Sequence, residues 1–342
     1  MESLQRPEQA VRAVARTWTY EVPIFPSGRR MNGFFSLIFA CGVMRLLSAI
    51  RFFALLFGLA APAMAMEWPS SFVVHSGTES PRGRYGIIVP PHESESNEEA
   101  DCYLADIQSH RVLGKLEGVD YFENQNHAGL TAIWNADSIR CVVTREGRFG
   151  FDTIALIELH GQDFHQVDLG TAIQHSLDAV TSKEATKDNV KDPGAPATAY
   201  VRFAKDDRVR FRAISTSNPK SLEGVHTYCA LFQGTYDSGA ARWTVTDARP
   251  IAMEMFDILS EAYVDVGDYT TQFATEQLKA DAYDGWLNQA YSALRFILPK
   301  TEFEKVKAEQ VAWLKQRDAA PSIEEKNRRI LARVKALQDL LW

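Results

Sequence analysis

The sequence predicts an α+β protein: a β-repeat region, propeller-like or a sandwich, followed by an antiparallel helical bundle. Three observations predict it. Between Phe72 and Ile251 the apolar residues recur with a period of two, and beyond Pro250 the spacing changes to three and four. A short polar turn recurs ahead of apolar runs. Helix-capping signals then punctuate the C-terminal part of the chain.

The β region carries strand candidates at 85–89, 102–107, 111–116, 130–134, 140–144, 153–159 and 165–169, then at 199–203, 209–215, 227–234 and 242–246. They are rich in Val, Ile, Tyr and Phe, which suit a pleated surface. Ser80-Pro81-Arg82-Gly83-Arg84-Tyr85 leads into GIIV, Trp134-Asn135-Ala136-Asp137-Ser138 into IRCVV, and Ala204-Lys205-Asp206-Asp207-Arg208 into VRFRAI. The first of these turns resembles the turn of β-propeller blades. A closed propeller needs about four to eight blades, and two and a half to three units are countable here. An open array and a sandwich both satisfy the pattern. The polar stretch 178–197 reads as a loop with at most one helical turn.

Helices are expected at 253–264, 272–298, 302–319 and 323–341. Thr301 with Glu304, and Ser322 with Glu325, have the spacing of capping boxes, and Pro299 and Pro321 sit just outside the helices. Leu287, Tyr291, Leu294 and Leu298 form one apolar stripe, and Ile330, Val334, Leu337 and Leu341 a second. Each stripe lies on one helix face and asks for a partner.

The first 65 residues have a different character. From Met44 the chain runs MRLLSAIRFFALLFGLAAPAMA, with Arg45 and Arg51, an apolar run, and the small-x-small site Ala63-Met64-Ala65. That order is the secretory signal pattern, with a cut expected after Ala65. The alternative is an uncleaved anchor, but the two arginines interrupt the apolar span a membrane helix needs. Three segments follow: 1–65 leader and signal, 66–251 β-rich domain, and 252–342 helical domain. The expected location is the periplasm or the exterior, with no stable membrane insertion after cleavage. Of the 342 residues, those after Ala65 include 30 basic and 41 acidic side chains, a net of −11. Such a balance disfavours nucleic acid as a partner and favours a basic protein.

Export permits a disulfide. Cys102, Cys141 and Cys229 remain after the leader, and Cys102 with Cys141 is the pairing nearest in sequence; buried thiols are the alternative. No nucleophile elbow, phosphate loop, His-Glu-x-x-His or Cys-x-x-Cys occurs. His160, Asp163 and His165 fall in a hairpin tip and supply too few ligands for a metal centre. No catalytic residue, cofactor or metal is therefore expected. The polar loop with Glu123, Asn126 and His127 is a candidate ligand site, against a hydrated connection.

The segment Leu287 to Ala320 carries Leu287-Asn288-x-x-Tyr291, a proline junction at Pro299, and Gln310-x-x-Trp313-Leu314-x-x-Arg317-Asp318. These residues resemble the lysozyme inhibitor LprI family, over 271–342. The resemblance implies a non-catalytic helical module that binds a protein, a basic lysozyme being the expected partner. It also implies cysteines near the start of the first helix and after the Arg-Asp pair. Thr275-Glu276-Gln277 and Ala319-Ala320-Pro321 stand there instead. Gln310, Trp313 and Arg317 share a helix face by their spacing. That face either packs into the bundle, with Arg317 paired to an acid on a neighbouring helix, or contacts the partner together with Asp318.

Overall fold

A computed structural model describes residues 18–20 (backbone only), 67–91, 101–191, 193–217, 226–262 and 273–342. The signal segment 44–65 lies outside the described residues. In chain order the strands are β1 (Trp18–Tyr20), β2 (Val73–Val74), β3 (Tyr85–Val89), β4 (Asp101–Asp106), β5 (Arg111–Asp120), β6 (Gly129–Trp134), β7 (Arg140–Glu146), β8 (Phe151–His160) and β9 (Asp163–Asp168). Helix α1 (Gly170–Thr186) follows, then β10 (Ala197–Phe203), β11 (Val209–Thr216), β12 (Cys229–Asp237) and β13 (Arg242–Ile251). The chain ends in α2 (Met253–Ala262), α3 (Glu276–Ile297), α4 (Lys300–Asp318) and α5 (Ile323–Leu340).

Strands β2–β5, β6–β9 and β10–β13 form three antiparallel meanders, and β1 adds an edge strand beside β13. The recurring turn joins the first and second strands of each meander. In the first, the Ser80 hydroxyl accepts from the backbone N–H of Arg84 and Tyr85 at 3.2 and 3.1 Å. In the second, Asn135 Oδ1 accepts from Ile139 and Arg140 N–H, both at 3.1 Å. In the third, backbone bonds between Ala204 and Arg208, and between Asp207 and Ala204, do the same work. In the first two turns a polar side chain satisfies amides that would otherwise be stranded beside a buried strand.

The sheets stack. Ile87, Val89, Cys102 and Leu104 of the first sheet meet Cys141, Val143, Ala155 and Ile157 of the second in one core. The opposite face of the second sheet, through Val142, Ile154 and Leu156, meets α1 and the third sheet. The opposite face of the third sheet, through Ile214 and Leu231, meets the helices. Trp68 and Phe72 cover the outer face of the first sheet. Central strands are buried on both faces, which is why they read as apolar runs rather than clean alternation. Among the described residues no sheet closes on itself. The architecture is α+β, with antiparallel sheets followed by helices.

In two places the helices differ from expectation. The stretch 178–197 is not a loop throughout: α1 runs to Thr186 and wedges Ile173 and Leu177 between the second and third sheets. Its start is held by Asp168, whose Oδ1 accepts from Thr171 N–H at 3.2 Å. The Thr301 capping box does not form either, because α4 begins at Lys300 with Pro299 before it and no side-chain cap. Ser322 does cap α5, accepting from Glu325 N–H at 3.3 Å, and Thr275 caps α3 through Leu278 N–H at 3.2 Å.

The bridge between Cys102 and Cys141 is not formed; both are thiols in the core between the first two sheets. Cys102 Sγ donates to the Tyr121 carbonyl at 3.5 Å. Burial pushes its pKa up to about 12, and burial raises that of Cys141 as well. Both thiols hold their protons more tightly folded than unfolded, where they ionise near 9.0. Below that pH this contribution to stability is intact. Above it the unfolded chain releases protons that the folded chain keeps. Stability should then fall by up to about 1.4 kcal/mol per pH unit for each thiol, until the folded thiols ionise. Urea midpoints followed from about pH 8 to about pH 10.5 check this. Cys141→Ala should flatten the slope, and an unchanged slope would assign the alkaline loss to other groups.

Candidate functional site

The stripe on α4 faces inward. Gln310 is 8% exposed, and its Oε1 accepts from Arg333 Nε on α5 at 2.9 Å. Trp313 is half-buried against the bundle core. The Arg317 guanidinium carbon stands 5.8 Å from the Trp313 ring centroid. It also reaches Asp284 Oδ1 on α3 at 3.3 Å, while Arg317 Nε donates to Asp318 Oδ1 at 2.9 Å. Arg317 thus ties α4 to α3, and Gln310 ties α4 to α5. Asp318 alone of the four is exposed. The structure brings the candidate residues together as an inter-helix belt with one half-open aromatic edge.

These ties matter because α4 has little other packing. Val306 and Gln310 are its buried residues, and Val311 on its outer side is 55% exposed. The first turn of α3 is anchored differently. Asn327 of α5 is buried, and its Nδ2 donates to the Glu276 carbonyl at 2.8 Å and to Glu276 Oε2 at 2.9 Å. Hydrogen bonds from Lys279 and Asn327 hold the Glu276 carboxyl below its ordinary range. A polar clamp therefore secures the start of α3, where the family resemblance implies a cysteine.

The bundle docks on the third sheet through more than apolar contact. Tyr200 Oη donates to the Ser260 carbonyl at 2.9 Å, Arg202 pairs with Asp339 at 2.8 Å, and Arg210 donates to the Trp342 carbonyl at 2.9 Å. The protein is thus a stack of antiparallel sheets capped by a small helical domain. Residues 267–337 match the family described as Lysozyme inhibitor LprI. The match covers about a fifth of the chain and spans α3, α4 and most of α5. No curated protein matches the chain, and no solved structure does.

The polar loop after β5 divides into two environments. Glu123 turns away, its Oε2 meeting His75 Nδ1 at 2.7 Å, with the His75 ring edge-on to Tyr121 at 4.8 Å. Asn126 and His127 instead line a groove that also takes in Arg145, Arg148 and Phe149 of the β7–β8 hairpin. The three loop candidates therefore do not form one site. The hairpin residues escaped the sequence reading, although a charged and an aromatic residue between Gly147 and Gly150 were the signal available. Among the described residues no helix is long and apolar enough to cross a membrane.

Proposed function

We propose that the protein is an exported, non-catalytic binding protein whose LprI-type domain engages a muramidase. The family match over 267–337 carries this reading. The signal pattern ending at Ala65 and the acidity of the chain beyond it support export and a basic partner. The charge is unevenly placed: 66–251 contains 18 basic and 26 acidic residues, while the matched segment contains 12 basic and 10 acidic. Long-range attraction of a basic muramidase would come from the β region, and contact specificity from the bundle.

The test is inhibition of a basic muramidase by the mature protein at low salt. Stoichiometric inhibition that weakens with salt is the expected result. Trp313→Ala should weaken it by about 2 kcal/mol or more if the half-open ring is an anchor. The same change should lower stability by about 2 kcal/mol, since the ring is half-buried and Arg317 rests on it. Asp318→Ala separates the effects: it should leave the melt within about 0.5 kcal/mol, so any lost inhibition reports contact. No inhibition at tens of micromolar, about the weakest useful affinity, would sink the reading.

A second reading is an envelope scaffold whose β region binds the partner while the helices cap it. The stacking of three meanders favours it, with the second sheet packed between the first and the third. A scaffold would capture its partner without lowering any muramidase rate.

A further inference from the structure

A groove of about 460 Å³ opens between the loop 125–128, the hairpin tip 147–150 and Pro196. That size is within the range of small-ligand sites. The hairpin beside it is fixed. Gly147 N–H donates to the Gly150 carbonyl at 2.7 Å. A Cβ on Gly150 would stand 2.3 Å from the Ala197 carbonyl oxygen, so the tip presses directly on β10. Arg148 and Phe149 are therefore presented from a rigid support.

Their chemistry is selective. Phe149 is 63% exposed, with the Arg148 guanidinium carbon 5.4 Å from its ring centroid. Arg145 is already engaged, pairing with Asp152 and with Asp120. For Arg148 no ion pair is found among the described residues. A guanidinium with no ion pair among the described residues, in a region of 18 basic and 26 acidic residues, runs against the local charge and suits an anion. Gln125 also lines the groove, and its buried Oε1 has no hydrogen-bond partner among the described residues. Asn126 and His127 add polar rim groups.

We propose that this groove binds a carboxylated saccharide. The pyranose ring packs on the open face of Phe149, the carboxylate pairs with Arg148, and the ring hydroxyls meet the polar rim of Asn126 and His127. The assignment rests on the β region alone and is independent of the LprI-type domain. The probes are N-acetylmuramic acid and N-acetylglucosamine, which differ by the lactyl carboxylate. Each is titrated calorimetrically into the protein purified as it accumulates in cells. The acid should bind about tenfold more tightly than the neutral sugar, as for a hydrogen-bonded charge. Arg148→Ala and Phe149→Ala should each weaken the acid by about tenfold at an unchanged melting temperature, since both side chains are exposed. Equal affinity for the two sugars would overturn the proposal. So would acid binding untouched by Arg148→Ala, or no binding up to about 20 mM. A glutamate hexapeptide that displaces the acid and ignores Phe149→Ala would overturn the saccharide assignment in favour of an acidic peptide.

Discussion

A fragment of residues 273–342, produced without the sheets, should be largely unfolded, with weak helical circular dichroism and no cooperative melt. The family match begins at residue 267, but the core of the bundle begins earlier. Met255, Leu259 and Ala262 of α2, with Ile214 and Leu231 of the third sheet, are all buried in the same cluster as Tyr283, Leu287, Leu294, Ile330 and Val334. Each large apolar side chain so buried is worth about 1.5–3 kcal/mol. Removing the four large partners takes away about 6–12 kcal/mol, comparable with the roughly 5–15 kcal/mol by which a whole domain is stable, and a chain this short has little in reserve. Polar anchors go as well: Gln338 Nε2 donates to the Ala262 carbonyl at 3.0 Å, and the Asp339 partner Arg202 lies on β10. A fragment from residue 252 should regain part of the helicity, and one from residue 197 a cooperative transition. Native helicity and a sharp melt for 273–342 would show that the bundle is self-sufficient.

What the sequence disclosed follows from how local each signal is. The strands are legible because both faces are buried, so runs such as Ile87-Ile88-Val89 or Ile154 to Ile157 stand out between polar turns. The meander repeat is legible because Ser80, Asn135 and Asp207 each close a turn within a few residues. Helix α1 is hidden because it lies in a cleft between two sheets. It buries only a narrow line of Ile173, Leu177, Thr181 and Ala185, too polar for a strong period of 3.6. The strand β2 has two residues and no pattern to read.

The candidate site divides the same way. Spacing alone puts Gln310, Trp313 and Arg317 on one face. That this face turns inward depends on Arg333, on Asp284 and on the core, contributed by other helices. Glu123 finds its partner 48 residues away in His75, which nothing near the loop announces. Cys102 and Cys141 are both free thiols in one core between two sheets, which nothing in either strand announces.

Trp243→Ala should lower the unfolding free energy by about 3–5 kcal/mol, and the loss should not stay within the sheets. Trp243 on β13 is 6% exposed, with ring centroids of Phe211, Tyr236 and Phe232 at 5.2, 5.4 and 5.9 Å. It belongs to the core shared by the second sheet, α1 and the third sheet. Residues of alternate parity on β11 and β12 serve the other core: Ala213 and Phe232 face α1, while Ile214 and Leu231 face the bundle. A cavity on one face therefore loosens the strand that supports the opposite face, because close-packed layers transmit strain. Helical and sheet signals should be lost together in one denaturant transition shifted to a lower midpoint. Arg242→Ala, at the exposed neighbouring position, should stay within about 0.5 kcal/mol of the parent. Leu259→Ala removes the bundle-side contact, and combined with Trp243→Ala it should depart from additivity by more than about 0.5 kcal/mol, as coupled sites do. A bundle that keeps its midpoint in Trp243→Ala, with strictly additive energies in the pair, would mean that the third sheet does not couple the two cores.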